Sequence, residues 1–82
     1  MKLWEYKGKR LKIIDIDGNV FKGSYDSYTS ALDAYDSNGE PDGMPKLTIA
    51  IEDNRGTLVE FDESEIASIE IISADSIMAE AI

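Results

Sequence analysis

Five short stretches of this chain alternate apolar with other side chains, and each is bounded by glycine, aspartate, asparagine or proline. Period-two alternation marks a strand with one buried face, and the bounding residues are those that turn a chain. The first stretch is Lys9 to Ile16, closed by the hairpin signal Asp17-Gly18-Asn19. The second starts at Val20 and places Phe21, Gly23 and Tyr25 on one face. Glycine weakens a strand unless the backbone bends or is closely approached, so Gly23 predicts strong curvature. Lys46 to Glu52 points Leu47, Ile49 and Ile51 inward, and Asp53-Asn54-Arg55-Gly56 leads into Thr57 to Phe61. After the polar connection Asp62–Glu65 comes a fifth strand from Ile66 to Ile72.

Two further segments complete the order. Leu3 and Tyr6, three apart, with Gly8 in a C-cap position, predict a short helix ahead of the sheet. Asp33 to Pro45 holds both prolines and two glycines and reads as a loop, long for a compact domain. The expected fold is therefore all-β: one small, five-stranded, strongly bent barrel over residues 1–72, with a tail or short helix over 73–82. Spacing alone does not choose between SH3-like and OB-like forms.

With 82 residues the core is small, and partners that bury more surface would help it. There is no cysteine and no histidine, which removes disulfides, thiolate metal sites and the commonest general base. No enzyme activity is expected. Neither a Gly-rich phosphate loop nor a complete calcium-binding loop is present; Asp15-Ile16-Asp17-Gly18 lacks the bidentate glutamate, its place being Ser24. No cofactor or metal is expected. No apolar run reaches the roughly 20 residues of a membrane span, and the chain reads as cytoplasmic.

The net charge of −9 is unevenly spread: residues 1–23 carry +3 and residues 24–82 carry −12. Phosphate attraction supplies most nucleic-acid affinity, so an acidic chain is poorly suited to it. Any RNA contact would fall to Lys7, Lys9, Arg10 and Lys12, the one dense basic cluster. Tyr28 and Tyr35 flank the long loop and are candidates for contact with a partner.

Asp17-Gly18-Asn19-Val20-Phe21-Lys22-Gly23-Ser24-Tyr25 resembles the first motif of the Sm-like family, with Gly18, Phe21, Gly23 and Tyr25 in the motif's places. Tyr6 to Ile13 is similar to that family's helix-to-strand entry, and Glu65 to Ile71 to its closing strand. The likeness spans roughly residues 3–72. It implies a bent five-stranded barrel that assembles into a ring through the fourth strand of one copy and the fifth of the next. Those strands hold Thr57, Val59, Phe61, Ile69 and Ile71. The family's base-binding parts are not matched. Asp62-Glu63 stands where an Arg-Gly pair is expected, and Asp33 or Lys46 stands nearest the missing loop residue. Carboxylates repel phosphate and cannot stack on a base as arginine does. The expectation is thus a homo-oligomer that binds a partner protein. The rivals are an RNA binder using the basic N-terminal face and a monomeric SH3-like barrel that reads a peptide.

Overall fold

A computed structural model describes residues 2–53 and 55–74 of the chain, with the side chains of Ser73 and Ala74 left aside. The expected tail therefore lies almost wholly outside the described residues. Five strands form one antiparallel sheet: β1 Lys9–Asp15, β2 Val20–Thr29, β3 Lys46–Ile51, β4 Leu58–Asp62 and β5 Ile66–Ala74. Their order across the sheet is β4-β3-β2-β1-β5. The N-terminal helix is a single 3₁₀ turn, Leu3–Tyr6, and Gly8 follows it at a positive φ of 77°. Among the described residues no helix is long and apolar enough to cross a membrane.

Alternation decides what is buried. Leu11, Ile13, Leu47 and Ile49 are fully enclosed, and Leu3, Phe61 and Ile66 join them in the core. Each such side chain contributes about 1.5–3 kcal/mol by leaving water. Phe21 and Phe61 meet edge to face, with ring centroids 5.0 Å apart. β1 stops at Asp15 rather than Ile16 because the Asp15 carboxylate accepts the backbone N–H of Asp17 (2.9 Å) and of Asn19 (2.8 Å). That fixes the hairpin and leaves Ile16 exposed.

Gly23 is buried at the centre of the sheet, opposite Leu11 on β1 and Ile51 on β3. A Cβ built there would sit 2.9 Å from the carbonyl carbon of Ala50, and closer still to its oxygen. Just beyond it, the β2–β3 register shifts between Tyr25 and Ser27. A bulge of this kind bends its strand and sharpens the local twist.

The tightest constraint on curvature is a connection. Only the three-residue 3₁₀ turn Glu63–Glu65 joins β4 to β5, which occupy opposite edges of the sheet. Laid flat, those edges would stand roughly 19 Å apart, four strand spacings, whereas three 3₁₀ residues advance about 6 Å. The sheet must therefore coil until the edges approach at that end. Backbone hydrogen bonds fix the turn there: Glu63 N–H donates to Pro45 O (2.9 Å), and Ile16 N–H to Glu65 O (3.0 Å). The expected barrel is bent but not closed, since β4 and β5 do not pair with each other.

Candidate functional site

Among the described residues, the two outer strands of the sheet, β4 and β5, each have one edge without a partner strand. On β4, Val59 and Phe61 point inward opposite Ile49 and Leu47, while Leu58, Glu60 and Asp62 point outward. On β5, Ile69 and Ile71 face the same way as Ile13 and Leu11, and Ser68 and Glu70 face out. Leu58, Ile71 and Ile72 are large apolar residues left 58%, 49% and 40% exposed.

Of the five residues expected at an assembly interface, Phe61 is buried in its own core, so only its backbone edge remains to offer. Ile69 and Val59 are half-buried against that core. Thr57 precedes β4, and the Asp53 carboxylate accepts its N–H (3.2 Å) and its hydroxyl (2.7 Å). Leu58 and Ile72 were not singled out from sequence. Their exposure depends on where each strand lies in the sheet, which alternation cannot tell.

Beside the β4 edge the long connection, residues 30–45, folds over the outer face of the sheet. It is ordered by its own turns. The Asp36 carboxylate accepts N–H groups of Asn38 (2.8 Å) and Glu40 (3.0 Å), and Tyr35 bridges to Pro41. Between it and the sheet lies an open cavity of about 450 Å³ lined by Tyr35, Asp36, Ser37, Asp42, Lys46, Glu60 and Asp62. Lys46 is buried, and its ammonium donates to Asp42 (2.9 Å) on the connection and to Asp62 (2.8 Å) at the end of β4.

Lys46 and Asp62, which the resemblance alone would set beside a base pocket, thus meet as an ion pair. The Lys46 ammonium is held well above the ordinary lysine range, first by Asp62 and then by Asp42. Asp42 is held below the ordinary carboxylate range, chiefly by Lys46 and then by the Met44 N–H. A cation so engaged has little left to offer a phosphate.

The basic cluster does not form one patch. Lys7 precedes β1, and within the strand Lys9 shares the parity of Leu11 and Ile13 whereas Arg10 and Lys12 project from the other face. Arg10 is engaged by the Glu52 carboxylate across the sheet, and Lys12 stands between Lys22 on β2 and Glu70 on β5. Tyr28, expected near a partner, is half-buried against the core with its ring edge on Trp4, 5.8 Å between centroids. Tyr35 alone of the pair is exposed, at 55%.

Acid should weaken the fold in a definite window. Asp42, Glu52 and Asp53 are depressed by Lys46, Arg10 and the Thr57 hydroxyl respectively, each being the largest cause. A depressed carboxylate contributes stability that is present above its unfolded pKa, about 4, and lost as pH falls through its lower folded value. Thermal melts should therefore be level from pH 7 to about 5 and decline below about 4. A melting temperature that rises steadily down to pH 3 would show that these contacts contribute nothing.

No protein-family model, curated protein or solved structure matches this chain.

Proposed function

We propose that this chain is a non-enzymatic assembly module of Sm-like character. It forms a homo-oligomer by pairing β4 of one copy with β5 of the next, and it binds a partner protein. The observation that carries the reading is the pair of edges at the two ends of the sheet that have no partner strand among the described residues, each with exposed apolar side chains: Leu58 on β4, Ile71 and Ile72 on β5. Natural sheets seldom leave such edges bare, because their free N–H and C=O groups template further pairing. The small core adds a reason, since pairing would bury Leu58, Ile71 and Ile72 together. The element order and the Gly18, Phe21, Gly23, Tyr25 pattern support the family reading in the same direction. Tyr35, exposed at the mouth of the acidic cavity, is the natural contact for the partner.

Light scattering should give a mass that is a multiple of the 9.1 kDa chain. Ile71→Lys places a charge on a half-exposed edge position, and should return the protein to 9.1 kDa with its circular dichroism unchanged. A native protein that stays monomeric at high micromolar concentration ends the proposal.

A further inference from the structure

The two edge strands carry the same three-residue pattern. β4 reads Val59-Glu60-Phe61 and β5 reads Ile69-Glu70-Ile71, with the apolar members inward and the glutamate outward in both. Placing the two apolar residues of one strand opposite those of the other puts Glu60 against Glu70. This holds whichever way the strands run: antiparallel pairing gives Val59–Ile71 and Phe61–Ile69, parallel pairing gives Val59–Ile69 and Phe61–Ile71. A slip of one residue would turn the apolar set to the outer face.

From this we infer that the seam between two copies is built around a directly opposed Glu60–Glu70 pair, so that assembly is strengthened by salt. The inference rests on the edge-pairing reading above. Like charges directly opposite one another in a sheet are destabilising, and screening weakens that repulsion. The surroundings do not neutralise the pair equally. Glu70 stands opposite Lys12 on β1, with Lys22 one strand further on. Glu60 stands opposite Thr48 on β3 and lines the cavity with Tyr35, Asp36, Asp42, Lys46 and Asp62. The one cation among the described residues lining it, Lys46, is held by Asp42 and Asp62. Glu60 is thus the uncompensated member, and the one to change.

Sedimentation equilibrium from low to moderate sodium chloride at pH 7 tests the inference. Glu60→Gln should tighten association about two- to five-fold at low salt and flatten its salt dependence. Glu60→Lys, which would face Glu70 with opposite charge, should tighten it further and make salt weaken assembly. Asp26→Asn on the central strand β2 makes the same change in net charge away from both edges, and should do much less. Glu70→Gln added to Glu60→Gln should give little more, since the repulsion is already gone. If the protein assembles but Glu60→Gln and Glu60→Lys behave like Asp26→Asn, the opposed pair is wrong while edge pairing stands. If every variant remains at 9.1 kDa in all conditions, edge pairing itself has failed, and the inference with it.

Discussion

Gly23→Val is expected to abolish the fold or cost it at least about 3 kcal/mol, the upper end of what overpacking a core does. The usual remedy for an enlarged side chain is a rotamer change in a neighbour, and here that remedy is missing. What a Cβ meets at Gly23 is the backbone of Ala50 and the Cα of Ile51 at 3.1 Å, not the end of a flexible side chain. Relief would require β2 and β3 to separate, breaking the ladder that links Gly23 to Ile51 and Ser24 to Ala50. Because the clash begins at Cβ, Gly23→Ala should already be clearly destabilising, and valine should be worse. Urea unfolding followed by tryptophan fluorescence reports both. Midpoints equal to the native one would mean that the strands do not approach here, and the account of the curvature would go with them.

Lys46→Met is the second large effect. Methionine keeps most of the stem's volume, so the change isolates the ammonium. Its loss leaves Asp42 and Asp62 facing one another beside Glu60 and Asp36 with their shared cation gone. Removing one member of a partly buried ion network costs more than the network contributes over an apolar replacement, because the remaining charges are left uncompensated. The melting temperature at pH 7 should fall by roughly 5–10 °C or more, and the connection over residues 30–45 should become more accessible to protease. The deficit should narrow as pH falls below about 4, because acid progressively removes the Asp42–Lys46 contact that only the native protein has. Adding Asp42→Asn should recover part of the loss at neutral pH. A constant deficit at all pH values would show that Lys46 acts by packing alone.

The strands themselves were legible from the chain because each has one buried face. Leu11 and Ile13, Leu47 and Ile49, and Phe61 are spaced two apart or set on the inward parity, and all are enclosed. Turn chemistry was legible for the same local reason, as at Asp15, Gly18 and Asn19. What alternation could not give was anything decided by which strands lie next to one another. It placed Lys7, Lys9, Arg10 and Lys12 in one cluster, though a strand sends its neighbours to opposite faces and Arg10 finds Glu52 across two ladders. It treated Asp33–Pro45 as a plain loop, whereas Lys46 ties Asp42 to Asp62, 20 residues further along the chain. A signal for that site was present: Lys46 is one of only two cations after residue 23, and Asp42 stands four residues before it. How far the bent barrel closes was hidden for a related reason, since closure depends on whether β4 reaches β5.

The strand order also sets the tempo at which this chain can find its structure. β1, β2 and β3 each pair with their immediate successor, so that the four-stranded meander β1–β4 can form by local search. β5 must instead return to β1, joining residues 66–74 to residues 9–15 across nearly the whole chain. Pairings so distant in sequence carry the loop-closure entropy before they are rewarded, and they slow folding to milliseconds or longer. Until β5 docks, β1 is an open edge in its place, and Leu11 and Ile13 lack one wall of their enclosure. The vulnerable species is therefore a four-stranded intermediate, and any copy that waits in that state can accept the β5 of a neighbour in place of its own.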